Sequence, residues 1–425
     1  MPVEPAETVE AAAGSGAAAT TADRSSSPPA ARAGTSSRAP EQNPSSPARD
    51  TAVDELERDE SFGSEMLRNL SARLALGGEQ DVTDAEIISV LGEQPLKAFR
   101  YAQENLRGLV RKVTGEPAFC HSADVALRAL DLAYPRPLLQ VCLLHDAVED
   151  SSDDILALFF HLKEIERLFD ADVARDVRVL TNRYQIILQS LVRLLPVNLP
   201  FEPESLAAVS RALGELRAQV PALVRDEFDY EFYQLYTYFL PAVNLAAGRR
   251  RGLIDRQYTV LSEVAFQAYR VYTEQMGDDA LLRRGHFGSA FYDRVLTVKF
   301  LDQVDNLRTS GIATWGALDR ILVKTETFLD KTFYLHDYVR RHGFEGRTAF
   351  LDLYDYLKCQ LIEQMAVRRK AVAFLADSRF ALLTEFLVET LSRLQHKYMV
   401  SELPRADIAR LRHRIRDHNL LFAAS

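Results

Sequence analysis

Leu138-Leu139-Gln140-Val141-Cys142-Leu143-Leu144-His145-Asp146-Ala147-Val148-Glu149-Asp150 sets an apolar run directly against four metal-binding or proton-handling side chains. The run Leu138–Leu144 reads as a buried helix, apolar nearly all round. If the helix continues, His145 and Glu149 lie one turn apart, as do Asp146 and Asp150, giving two adjacent polar ridges. Ionised side chains are seldom buried unless paired or bound to a metal. A cation held at this helix is the economical explanation of so much polarity beside so apolar a run.

Outward from this stretch the pattern stays helical. Lys97–Arg111, Ile155–Phe169, Arg320–Arg340 and Leu382–Leu394 repeat large apolar residues at spacings of three and four, with charged residues between them. Thr83-Asp84-Ala85-Glu86 reads as a capping box opening a helix. Punctuation comes at Pro135, Pro137, Pro196, Pro200, Pro203, Pro221 and Pro241, with little strand-like alternation. The fold class predicted is all-α. Residues 1–55 are Ala-, Ser- and Pro-rich with few large apolar side chains. Such a segment is expected to be disordered, because it buries too little to offset its ordering entropy.

Composition narrows the function. A length of 425 residues with 47% hydrophobic content suits a well-buried core, and a formal charge of -9 argues against a nucleic-acid binder. No apolar run approaches the ~18–20 residues of a membrane span, and the N-terminus lacks the basic-then-apolar pattern of a secretory signal. Cys120, Cys142 and Cys359 are an odd trio that fits a reducing cytosol and buried thiols. A cytoplasmic protein without nucleic-acid or membrane partners is expected.

Two further polar clusters complete the picture. Arg111-Lys112-Val113-Thr114-Gly115-Glu116-Pro117 precedes His121, with a turn at Thr-Gly-Glu-Pro. Val298–Thr309 reads as a helix carrying Asp302, Asp305, Asn306 and Thr309 on one face. Together these residues resemble the HD-domain hydrolases of the RelA/SpoT type, which remove the 3′-pyrophosphate from the alarmones ppGpp and pppGpp. The family reads Arg-Lys-x-Gly-Glu-Pro-Tyr-x-x-His-Pro, then Leu-Leu-His-Asp-x-x-Glu-Asp, then Lys-x-x-Asp-Arg-x-x-Asn-x-Arg-Thr. Here the order is the same: Arg111–His121, Leu143–Asp150 and Lys299–Thr309. Phe169–Thr181 and Arg320-Ile321 with Glu326-Thr327 are weaker matches.

The resemblance implies a helical HD bundle with His121, His145, Asp146 and Asp302 as metal ligands, for Mn²⁺ or a similar divalent cation. It implies Glu149 and Asp150 as the catalytic acid pair. Arg111, Lys112, Asn306 and Thr309 are implied to bind a nucleotide substrate. Departures fall at Ser122 in place of Pro, at an extra residue (Val113 or Thr114), and at Ala118-Phe119 in place of the family aromatic. Gln303 and Asp305 replace Arg and His. These changes are expected to touch substrate recognition, which keeps open a different nucleotide, or an alarmone sensor without hydrolysis. Residues 151–301 separate Asp150 from Asp302, far more than the family places there. The expected organisation is a first hydrolase part at 56–183, a helical insertion at 184–284, a second part at 285–345 and a helical C-terminal region at 346–425. The insertion is a candidate cap, partner surface or homo-oligomer interface, and no synthetase counterpart is evident. His336-Asp337 is read as coincidence, His161 and His286 as structural or exposed, and Arg405–His418 as a solvated basic helix face.

Overall fold

The computed structural model describes residues 82–111, 115–196, 199–247, 259–283, 293–309, 315–342, 349–374, 381–398 and 405–424. Lys112, His286 and the 1–55 segment lie outside them. The described residues belong to one compact unit, Ala48–Ser425. Every regular element among them is a helix, with an isolated bridge between Val110 and Pro117.

The order begins with α1 (Asp84–Leu91), α2 (Glu93–Asn105), α3 (Ala118–Asp131), α4 (Arg136–Leu144) and the short α5 (Ala147–Asp150). Then come α6 (Ile155–Leu168), α7 (Ala171–Leu180), α8 (Arg183–Leu194), α9 (Pro203–Gln219) and α10 (Ala222–Gln234). A π-helical turn, Leu235–Phe239, joins α10 to α11 (Leu240–Ala247). The chain continues through α12 (Val260–Arg283), α13 (Arg294–Thr309), α14 (Trp315–His342), α15 (Ala349–Phe374), α16 (Ala381–Tyr398) and α17 (Arg405–Ala424).

Helix α4 is the centre, as its composition dictates. Every residue from Leu138 to Leu144 is buried, and each fully buried Leu is worth roughly 1.5–3 kcal/mol. Around it lie α2, α3, α7 and α13. On the far side of α13 sits α15, which in turn carries α17. At the other end α12 packs on α8, α13 and α14. The capping box at Thr83 forms, with reciprocal bonds to Glu86.

Four local expectations differ from the structure. The helix stops at Leu144, and α5 begins afresh at Ala147. The His145 ring bonds the Cys142 carbonyl at 2.6 Å, taking the acceptor that a continuing helix would offer to the Asp146 N–H. Helix α2 ends at Asn105 rather than Arg111. Beyond it Gly108 adopts φ 77°, a region that favours glycine, and the chain folds back so that Ala118 N–H meets the Leu109 carbonyl at 2.8 Å. Pro241 does not end its helix, since the π-turn before it re-registers the backbone around the missing donor. The basic stretch 405–418 is not simply solvated. Arg412 and Arg416 bond Asp131 at 2.7 and 3.3 Å, and Arg414 meets the buried Asp352 at 2.9 Å.

Phe300 on α13 is fully buried against Phe328 of α14 (4.8 Å between ring centroids) and Phe350 and Tyr354 of α15 (5.6 and 5.9 Å). Phe300→Ala is expected to lower the unfolding free energy by about 3–5 kcal/mol, as read from urea denaturation. A loss below about 1 kcal/mol would mean that α13 is not anchored through this ring.

Candidate metal centre

The three motifs, remote in sequence, converge on one buried point. His121 comes from the first turn of α3, His145 and Asp146 from the break between α4 and α5, and Asp302 from the middle of α13. Ligand atoms of His121, His145 and Asp302 all lie within 4.8 Å of one another. Asp146 lies beside this trio, its Oδ2 standing 3.4 Å from His121 Nε2 and 3.3 Å from His145 Nε2.

Both imidazoles are oriented by their other nitrogen. His121 Nδ1 bonds Asp305 Oδ2 at 2.8 Å, and His145 Nδ1 bonds the Cys142 carbonyl at 2.6 Å. Each ring therefore turns Nε2 toward the cluster, the arrangement in which an outer partner fixes the tautomer of a metal-binding His. His145 Nε2 is buried and makes no hydrogen bond. A desolvated lone pair without a donor is costly, and a cation is the partner that suits it. Two imidazoles and two carboxylates fit a divalent ion of intermediate hardness.

The charges around the cluster are closely compensated. Asp302 Oδ2 receives Lys299 at 2.6 Å and Gln303 Nε2 at 3.1 Å, while Oδ1 receives Asn306 Nδ2 at 2.5 Å and faces His121 Nε2 at 3.1 Å. Burial would raise the Asp302 carboxyl, but Lys299 and His121 hold it well below the usual carboxylate range. Burial likewise opposes ionisation of Asp305, yet the His121 hydrogen bond and the Arg128 and Arg111 charges hold its pKa at about 2. Burial lowers the His121 pKa, and bonds to Asp302 and Asp305 outweigh it, carrying the ring to about 10. Burial dominates at His145 and lowers its pKa. A cation taking His121 Nε2 would therefore displace a proton.

The other expected residues fall as follows. Arg111 reaches the α13 face, bonding Asn306 Oδ1 at 2.7 Å and standing 3.5 Å from Thr309 Oγ1 and 3.4 Å from Asp305. Glu149 is half-buried and its Oε2 accepts the Asn182 N–H at 2.8 Å. Burial, then the Asp146 and Asp150 charges, push its pKa to about 8. Asp150 is exposed. His161 bonds Ser151 at 2.9 Å, and His336 stacks between Phe333 and Tyr354, apart from the cluster.

Two residues assigned above to substrate recognition serve the ligands. Asp305 anchors His121, and Gln303 links Asp302 to the Thr325 hydroxyl at 3.2 Å. Both are buried, so neither presents a side chain to a large substrate. Phe119 is also core, edge-on to Phe99 at 4.8 Å between centroids, and offers no surface for stacking a purine. The Asp305 role was readable from its place one turn beyond Asp302; the Cys142 carbonyl and the Asn182 N–H carried no side-chain signal. Compared with family models, with curated proteins and with solved structures, the chain matches none.

Two outcomes test the centre. Asp305→Asn is expected to weaken Mn²⁺ binding about 10–100-fold in equilibrium dialysis, with the helical content retained. In metal-free protein, folding favours protonated Glu149, so the native state holds the extra proton between about pH 4.5 and 8. That stability is lost as pH rises through this window. Thermal melts of wild type against Glu149→Gln should show the wild type losing more stability between those limits; parallel curves would show that Glu149 has an ordinary pKa.

Proposed function

We propose that the chain is a metal-dependent HD-type phosphohydrolase that removes the 3′-pyrophosphate from ppGpp-like guanosine nucleotides. The observation that carries the reading is the convergence of His121, His145 and Asp302 within 4.8 Å, with the buried His145 Nε2 left without a hydrogen bond. A surface His-Asp pair would need no such arrangement. His121, His145, Asp146 and Asp302 would hold the cation, which supplies Lewis-acid polarisation and a lowered water pKa when bound.

The protein's own groups carry the rest. Glu149 Oε2 is committed to the Asn182 N–H, which leaves Oε1 to receive the proton of the attacking water. This carboxyl can take a proton from the water and return it to the leaving oxygen. Asp150, exposed beside it, raises the Glu149 pKa and adds a second acceptor for the water. Water adds to the phosphorus next to the ribose 3′ oxygen, the P–O3′ bond breaks, and the 3′ oxygen leaves with a proton. Arg111 lies partly open on the α13 face beside Asn306 and Thr309, where it offsets phosphate charge. The acidic chain, net -9, needs such a local cation to hold a polyanion.

Purified protein with Mn²⁺ is expected to convert ppGpp to GDP and pyrophosphate. A Glu149→Gln, Asp150→Asn double variant should lose at least about 100-fold in kcat while still binding Mn²⁺. Wild-type protein that binds the metal and leaves ppGpp intact would rule out the alarmone reading.

A further inference from the structure

Helix α12, which lies between the second and third motifs, reaches the metal centre. It packs on α13 and α14, and two of its tyrosines meet the two lysines that flank the cluster. The Lys299 ammonium lies 6.0 Å from the Tyr272 ring centroid, and the Lys324 ammonium, from α14, lies 5.2 Å from the Tyr269 ring centroid. The four groups are not equivalent. Lys299 is neutralised by Asp302 at 2.6 Å, and the Tyr272 hydroxyl donates to the Leu180 carbonyl. Lys324, by contrast, is in no ion pair or hydrogen bond with any described residue. The Tyr269 hydroxyl is buried and has no hydrogen-bond partner.

An unpaired ammonium thus lies over the ring of a tyrosine whose buried hydroxyl has no partner, beside the candidate metal centre. The core does not account for the Tyr269 hydroxyl, because a buried hydroxyl is almost always bonded, while Lys324 is exposed and its ammonium is open to an anion. We propose that Tyr269 and Lys324 form a phosphate-binding arm of the site, the hydroxyl and the ammonium donating to oxygens of one phosphoryl group of the substrate. This rests on the phosphohydrolase reading above and extends it to residues outside the three motifs. A phosphoryl group fits because it offers several anionic acceptors to two donors converging from different helices.

Calorimetric titration of inorganic phosphate into Mn²⁺-loaded protein tests the arm without requiring turnover. Lys324→Met is expected to weaken phosphate binding about tenfold and Tyr269→Phe about threefold, with Mn²⁺ affinity unchanged in both. Ligand-free Tyr269→Phe should melt at or above the wild-type temperature, because it deletes an unpartnered hydroxyl; a structural hydroxyl would lower it. Wild-type protein that binds no phosphate, or variants that bind it as the wild type does, would overturn the proposal. Absence of ppGpp turnover with phosphate binding and its loss intact would remove only the alarmone substrate.

Discussion

Two carboxylates one turn apart on a buried helix face are the constraint from which the rest follows. Asp302 and Asp305 are both nearly inaccessible, and an uncompensated buried charge costs several kcal/mol. Compensation comes from three directions. Lys299, Gln303 and Asn306 come from α13 itself, His121 and Arg128 from α3, and Arg111 from the loop before it. Because His121 must meet Asp302 with one nitrogen and Asp305 with the other, a slip of one residue between α3 and α13 would strand both acids. The apolar packing of α4 holds the helices together, and the charge cluster sets their register.

The helical class was legible because spacings of three and four persist along the chain, and the candidate ligands were legible because their types recur in three ordered motifs. What the sequence withheld was depth. A helical wheel places Asp302, Asp305, Asn306 and Thr309 on one face but does not say that the first two are buried and the others only partly so. Gln303 and Asp305 were accordingly assigned to recognition, whereas each is bonded to a candidate ligand, Asp302 and His121 respectively. Phe119 offered no more in sequence than an aromatic near a nucleotide motif, and only packing on Phe99 makes it core. The arginines of α17 looked solvated because their acidic partners, Asp131 and Asp352, lie remote in the chain. The helix break at His145 depends on a side chain capturing a backbone carbonyl, which no periodicity encodes.

The region between the second and third motifs is coupled to the site through the turn that holds Glu149. Asn182 supplies the N–H that Glu149 accepts, and Arg183, next in the chain, bonds Glu231 at 2.9 Å and the Glu227 carbonyl at 2.5 Å on α10. Its guanidinium also sits over the Phe228 ring at 4.3 Å. A strand of interactions thus runs from α10 through one peptide group to the candidate base. A long segment placed between two motif blocks need not be a passive bulge when its helices fix the backbone on which one block depends.

Not every buried charge in this molecule points to chemistry, and the difference lies in how completely each is answered. Glu326, on the helix after the third motif, is buried but has both oxygens paired, with Arg393 at 2.5 and 2.8 Å and Lys397 at 3.2 Å. Nothing further is needed there, and a structural ion pair explains it. His145 differs in kind. Its Nδ1 is committed to Cys142, its pKa is lowered by burial, and its Nε2 presents a lone pair with no donor to receive it. A guanidinium or carboxylate with one idle atom keeps its charge compensated through the others, but a neutral imidazole has no second acceptor to offer. The unanswered nitrogen, facing Asp146 at 3.3 Å and a second imidazole with centroids 5.3 Å apart, is what sets this candidate metal centre apart from a structural ion pair such as that of Glu326.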